Sequence, residues 1–219
     1  TLDEFFVYPD LERMNKRQLK VDEDFTDSSS IIEDTQYQLV MLEGDDQCGK
    51  TSLLNMYYLR FIDKYMYPIL IKGKNIVNNN IDKIIGKAFD EQYCSNDKEK
   101  YLQYDTKKKI LIVDDFDECQ LNDTIKKKLI DQFLVRFGKV IITTKENENV
   151  VSSYFLMEKK NTLAARIKPL GHVKRNELVK KFYVTYDVNA SSLQKQALLE
   201  RVKAGFDMVE NFLGKEYIP

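Results

Sequence analysis

The sequence has no tryptophan, a single histidine (His172), three cysteines and no excess of either charge. One histidine leaves a His-based acid/base or metal mechanism little material to work with. Cys48, Cys94 and Cys119 lie far apart and form no C-x-x-C pair. That suggests neither a zinc ribbon nor a disulfide framework, and it fits a reducing, cytoplasmic setting. The 34 Lys and Arg nearly cancel the 35 Asp and Glu, so a formal net charge of -1 offers no bulk attraction to nucleic acid or an anionic membrane. Nucleic acid is accordingly not expected as a partner. No apolar run approaches the ~18 residues of a membrane span, and no charged-then-apolar leader opens the chain, so neither a membrane location nor secretion is expected. The absence of tryptophan beside abundant Lys, Asn, Ile and Tyr reads as base composition of the gene, not as mechanism.

Four short apolar runs have the character of buried strands: Gln38 to Leu42, Tyr67 to Ile71, Lys109 to Val113 and Lys139 to Thr143. A weaker fifth is Ala165 to Leu170. Helical patterns lie between them at Lys50 to Lys64, Ile81 to Tyr93 and Asp123 to Phe137, with core stripes Leu53, Leu54, Tyr57, Tyr58 and Ile125, Leu129, Phe133, Val135. This alternation predicts an α/β fold with a central parallel sheet flanked by helices. Two further helices, Val173 to Tyr183 and Ser191 to Leu213, read as the start of a helical subdomain. The polar, acidic stretch around residues 21–30 reads as a loop. The aromatic segment Phe5 to Leu11, which Pro9 keeps from being a helix interior, is placed on the sheet edge. The expected organisation is an N-terminal segment over 1–37, a core over 38–170 and a helical extension over 171–219. With Thr1 at one end and a helix-like segment running to Pro219 at the other, the chain reads as a piece of a longer protein.

The strongest motif is Gly44-Asp45-Asp46-Gln47-Cys48-Gly49-Lys50-Thr51, which matches a P-loop at every fixed position. Glycines let the backbone fold tightly around phosphate oxygens, the lysine reaches the β- and γ-phosphates, and the hydroxyl ligates Mg²⁺. The loop sits between a strand ending at Leu42 and a helix starting near Gly49, so free N–H groups of the helix N-terminus face the anion. Gly44, Asp46, Gln47, Cys48, Gly49, Lys50, Thr51 and Ser52 are the candidate nucleotide-binding residues. Asp45 and Asp46 are read as surface side chains whose N–H groups face phosphate. Cys48 is read as a small loop residue, with a redox-sensitive thiol as the alternative.

A second buried strand runs out into Asp114, Asp115, Asp117 and Glu118, a Walker B pattern. Asp114 at the strand end is the candidate to hold Mg²⁺ with Thr51. A neighbouring acid would orient the attacking water, with Asp115 first and Asp117 and Glu118 behind it. After the Lys139 run, Thr144 and Lys145 are placed to reach the γ-phosphate. Thr144-Lys145-Glu146-Asn147 is close to the guanine-reading T-K-x-D, but Asn147 stands at the specificity position, so ATP is favoured over GTP.

With these residues the chain resembles the STAND class of signalling ATPases, in particular NACHT-like modules of bacterial anti-phage (Avs-type) proteins. The likeness rests on Gly44 to Leu54, on Ile112-Val113-Asp114-Asp115-Phe116-Asp117-Glu118 beside the family's hhhDGhDE, and on Val140-Ile141-Ile142-Thr143-Thr144-Lys145. Phe6 to Leu11 is similar to the segment preceding such modules. The resemblance implies that Gly214 to Pro219 lies near the adenine, with Pro219 in contact. It also implies a switch that is ADP-bound and closed at rest, then ATP-bound and self-associated once a sensor region outside this sequence meets a trigger such as a phage protein. The family often has Arg where Lys145 stands and Gly where Asp115 stands. Related modules also place a residue near the nucleotide at about His172, for which a surface turn is the other account.

The functional expectation is therefore an ATP-hydrolysing switch that uses Mg²⁺ and ATP or ADP, with Lys50, Asp115, Asp117 and Lys145 as catalytic candidates and slow turnover. A motor or loader ATPase acting on nucleic acid and a non-hydrolysing nucleotide scaffold remain as alternatives. The basic clusters that a nucleic-acid partner would use are Lys107 to Lys109, Lys126 to Lys128 and Lys159-Lys160, read as solvated ends and loops.

Overall fold

The computed structural model describes residues 2–14, 25–145 and 161–186, together with Gln196 and Glu200. In chain order the regular elements are α1 (Leu2–Phe5), β1 (Asp10–Arg13), β2 (Phe25–Asp27), β3 (Leu39–Glu43), α2 (Lys50–Asp63), β4 (Tyr67–Lys72), α3 (Ile81–Gln92), α4 (Lys98–Gln103), β5 (Lys109–Asp114), α5 (Asp123–Arg136), β6 (Lys139–Thr144), β7 (Thr162–Ile167) and α6 (His172–Tyr186). The chain divides into two compact units, Leu11–Ile167 and the pair of segments Thr1–Asp10 with Lys168–Pro219.

The larger unit is built on a seven-stranded sheet in the order β2-β1-β7-β3-β6-β5-β4. From β7 to β4 neighbouring strands are parallel, and β1 joins β7 antiparallel. Every residue of β3, β5 and β6 is buried, because a parallel strand covered on both faces has no solvent side and is apolar through its middle, here with polar residues only at the strand ends. The predicted α/β class with a mostly parallel central sheet is thus the observed one. Since α2 carries the chain from β3 to β4 past two strand positions, β6 and β5 fill the gap. The order β3-β6-β5 sets the ends of three strands side by side.

The helices bury stripes against the sheet. Leu53, Leu54, Tyr57 and Phe61 of α2 and Leu129, Ile130 and Phe133 of α5 are buried. At the end of its predicted stripe α5 departs from expectation, for Val135 is 79% exposed. Side chains of Asn80 and Asn122 accept hydrogen bonds from Lys83 N and Ile125 N and so start α3 and α5.

Three local readings change. Residues 27–30, expected as loop, belong to β2 and a 3-10 turn, Ser28–Ile32, whose first turn Asp27 caps through Ser29 N at 2.8 Å. The buried Lys139 ammonium donates to the Ile31 carbonyl at 2.7 Å and to the Asp34 carbonyl, and its burial lowers its pKa from the usual lysine value. The N-terminal segment contributes strands and not only packing: its Asp10 and Leu11 open β1, which joins β7 with β2 beyond it. Residues 95–108, given no element by sequence pattern, hold α4 between two 3-10 turns. The predicted helix over Ser191 to Leu213 falls outside the described residues apart from Gln196 and Glu200, which are helical.

The free edge of β4 is closed by side chains. Gln92 at the end of α3 accepts from Leu70 N at 2.9 Å and donates to Leu70 O at 2.7 Å, imitating a neighbouring strand. Tyr93 Oη donates to Pro68 O at 2.7 Å, and proline offers no donor. An open edge invites pairing with another chain. Gln92→Ala is therefore expected to lower stability by about 1–3 kcal/mol, the cost of leaving such groups unmet. It should also raise concentration-dependent light scattering, whereas scattering like that of the unaltered chain would show the edge to be protected otherwise.

In the smaller unit, α1 packs on α6. Lys174 donates to Tyr8 O at 2.7 Å and pairs with Asp10 at 2.8 Å, and Lys181 donates to Phe6 O at 2.9 Å. His172 is the exposed first residue of α6. Among the described residues no helix is long and apolar enough to cross a membrane.

Candidate functional site

The loop from Gly44 to Gly49 joins the buried end of β3 to the first turn of α2. Two residues in it take the left-handed conformation, Gln47 at φ 65° and Gly49 at φ 94°. At Gly49, the N-cap of α2, a side chain would be strained, which is the physical need behind the second fixed glycine of the motif. Asp45 and Asp46 are exposed, as expected, and so are Gln47 and Thr51, while Cys48 and Ser52 are half-buried. The Cys48 thiol is pushed above its ordinary pKa, chiefly by burial and against the pull of Lys50, so a reactive thiolate is not favoured there.

Lys50 is 7% exposed, and its ammonium folds back over the loop. It donates to the carbonyls of Gly44 at 2.9 Å and Asp45 at 3.0 Å and lies 3.9 Å from Asp115 Oδ1. Thr51 follows it on the first turn of α2 and donates its hydroxyl to Asp114 Oδ2 at 2.8 Å. Residues 63 positions apart in sequence thus meet, and P-loop and acidic strand form one site.

Asp114 ends β5 and is 4% exposed. Its other oxygen, Oδ1, accepts from Thr143 Oγ1 at 3.0 Å, and the same Thr143 oxygen accepts from Asp115 N at 2.9 Å. Asp115 takes the left-handed conformation, φ 49° and ψ 59°. Aspartate is among the few non-glycine residues that adopt it readily, which explains how Asp115 stands where the resembled family often has glycine. Burial, reinforced by the Asp114 charge and opposed by Lys50, raises the Asp115 pKa above the usual carboxylate value.

Gly73, directly after β4, was not singled out by sequence reasoning. A Cβ there would lie 2.0 Å from the Asp115 carbonyl oxygen and 2.9 Å from Phe116 Cα, so the residue allows the backbone after β4 to touch the backbone after β5. The sequence signal was a single glycine closing a strand pattern, which marks a close backbone approach.

At the end of β6, Thr144 is buried and Lys145 is half-exposed. Lys145 N donates to Asp117 Oδ1 at 3.1 Å, and the Lys145 ammonium pairs with Asp46 at 3.1 Å. The hydrogen bond and charge of Asp46 raise the Lys145 pKa above the usual lysine value. Lys50, Thr51, Asp46, Asp114, Asp115, Asp117 and Lys145 are therefore brought together. Glu118 ends the 3-10 turn that Asp117 shares, and Pro219 lies outside the described residues.

The donors present fit Mg²⁺. A hydroxyl and one buried carboxylate are hard oxygen ligands, and Mg²⁺ is commonly held by one or two carboxylates plus phosphates and water. Among the described residues no group of three or more His, Cys, Asp or Glu is arranged to bind a metal.

Of the basic clusters, Lys107, Lys108 and Lys128 are exposed as expected, while one lysine in each of the two described clusters is buried. Lys109 is buried, donates to Leu102 O at 3.0 Å and lies over the Tyr101 ring, and burial lowers its pKa. Lys126 is also buried, over the Phe116 ring. Lys159 and Lys160 fall outside the described residues.

No protein-family model matches the sequence, and no curated protein matches it. Solved structures similar to it include AMPPCP-bound DnaA from Aquifex aeolicus, 14% identical over 87% of this chain and 60% of that one, with a TM-score of 0.47. Domain III of the replication initiation protein DnaA from Thermotoga maritima is 16% identical over 86% of this chain and 83% of that one, also at 0.47. A replication initiator DnaA bound to AMPPCP and single-stranded DNA is 13% identical over 84% of this chain and 59% of that one, at 0.46. This chain thus spans about 60% of the first and the last of these structures. The likeness is one of fold. That one of these structures holds single-stranded DNA conflicts with the expectation that nucleic acid is not a partner, and the expectation is withdrawn. The physical reason is that net charge sums over the whole surface, whereas phosphate contacts need only a local set of cations.

Proposed function

We propose that this chain is the ATP-binding and ATP-hydrolysing switch domain of a larger signalling protein of the STAND type. One observation carries the reading: the 2.8 Å bond between Thr51 and Asp114, which joins a P-loop to the acidic end of a buried strand. In this reading the backbone from Gly44 to Ser52 and the Lys50 ammonium hold the phosphates, with Asp46, Gln47 and Cys48 contributing through the loop. Thr51 and Asp114 hold Mg²⁺, which when bound neutralises charge on the phosphates. Asp115 orients the attacking water, with Asp117 behind it, and Lys145 exchanges Asp46 for the γ-phosphate. Pro219 borders the adenine, and residues 171–219 form a helical extension that follows nucleotide state and governs self-association, set off in the full-length protein by a trigger such as a phage protein. The resemblance of Ile112 to Glu118 and of Thr143 to Lys145 to the corresponding STAND segments supports this assignment over other P-loop classes.

Calorimetric titration with Mg-ATP and Mg-ADP tests the binding step, and a titration without heat or saturation overturns it. Turnover should be slow, and Asp115→Asn should lower it about 100-fold or more, within the range for a positioned base, with ATP affinity changed only a few-fold. Absent turnover with tight ADP binding would instead favour a non-hydrolysing scaffold. Turnover stimulated by single-stranded DNA would favour a motor or loader.

A further inference from the structure

We infer that Thr143, on the strand between the P-loop strand and the acidic strand, is a positioning residue that sets both Asp114 and Asp115 through one hydroxyl. The inference rests on the reading of the site as a Mg-nucleotide site and adds a residue to it. Thr143 is 0% exposed, so its polar atom can be met only by protein groups. Its hydroxyl has one proton to give and lone pairs to accept with. The proton goes to Asp114 Oδ1 at 3.0 Å, and a lone pair takes the Asp115 N–H at 2.9 Å. Asp114 Oδ2 is held by Thr51 at 2.8 Å, so each oxygen of the buried carboxylate has its own hydroxyl and the group cannot rotate without breaking one bond. Thr51 can release Oδ2 toward a metal while Thr143 keeps Oδ1 in place.

The second bond acts on Asp115. Its left-handed backbone is a conformation L-residues adopt at a cost, and its N–H has Thr143 as acceptor. This anchor aims the carboxylate to within 3.9 Å of the Lys50 ammonium. Valine at 143 would keep the shape, remove the proton from Asp114 and the acceptor from Asp115, and leave both backbones on the same strands. Serine would keep both bonds.

The test compares the unaltered chain with Thr143→Val and Thr143→Ser, measuring ADP affinity without metal, the gain in ATP affinity on adding Mg²⁺, and turnover. Thr143→Val should lose about 10- to 100-fold in the Mg²⁺-dependent gain and in turnover, the usual range for removing a group that orients a metal ligand. Its metal-free ADP affinity should stay within about threefold, because the loop backbone and Lys50 supply that binding. Thr143→Ser should restore both losses. A merely structural role would weaken all three readouts together or none, and either result overturns the inference. If Thr143→Val does not fold, Thr143→Cys keeps a similar shape with a much weaker donor and should show the same split; unchanged Mg²⁺ dependence in it overturns the inference equally. Should the unaltered chain bind no nucleotide at all, the reading of the site itself falls. Should it bind and Thr143→Val match it, the positioning role alone falls.

Discussion

Lys50→Ala should raise the dissociation constant for Mg-ATP on the order of 100-fold or more while leaving the fold intact. The lysine is the one side-chain cation buried in the loop, within reach of its carbonyls and of Asp115. Hydrogen bonds from a charged donor are worth about 1.5–3 kcal/mol each, and a P-loop lysine makes such contacts to two phosphates. About 3 kcal/mol converts to roughly two decades in affinity. Stability should change much less, since alanine is a good helix former at the first position of α2 and the backbone of Gly49 remains the N-cap. Calorimetry with a parallel thermal melt checks both halves. Affinity within threefold of the unaltered chain, in a protein that still melts cooperatively, would remove Lys50 from the site.

Gly73→Ala should act strongly on stability, although it adds a single methyl group far in sequence from either motif. The methyl carbon would fall 2.0 Å from the Asp115 carbonyl oxygen and 2.8 Å from its carbonyl carbon. Both are backbone atoms, so no rotamer change relieves the clash. Overpacking of this kind costs about 1–3 kcal/mol and sometimes more, and near 200 residues each kcal/mol lowers Tm by about 2–4 °C. A fall of roughly 5–10 °C is expected. Because the strand end must yield by moving Asp115 off its bond to Thr143, turnover should drop more than ATP affinity, which depends on the other side of the site. A variant that melts as the unaltered chain does would mean the two backbones are free to separate.

The motifs were legible for a physical reason. A phosphate loop needs glycine where φ is positive, and Gly49 at 94° meets that need with a residue visible in any alphabet. The buried strands were equally plain, since covering both faces of a parallel sheet leaves apolar side chains along the middles of β3, β5 and β6, with the polar residues at their ends. What misled was periodicity near element ends. Val135 continues the stripe of α5 in sequence, but it lies one residue before the helix ends and faces solvent. Two members of the basic clusters misled too, because Lys109 and Lys126 bury their stems and place their ammonium groups over aromatic rings, while Lys107, Lys108 and Lys128 are exposed.

Local chemistry therefore suffices for the P-loop, the acidic strand end and the α/β alternation, each of which depends on neighbours within about a dozen residues. It does not suffice for Thr143, Gly73 or Gln92. Their roles depend on strand order, on the insertion of β6 between β3 and β5 and the exposure of β4 at the edge, and that order is decided by which helices cover which faces. A threonine, a glycine and a glutamine carry no mark of the residue they will meet 29, 42 or 22 positions away. Folding supplies the partner, and with it the function of the side chain.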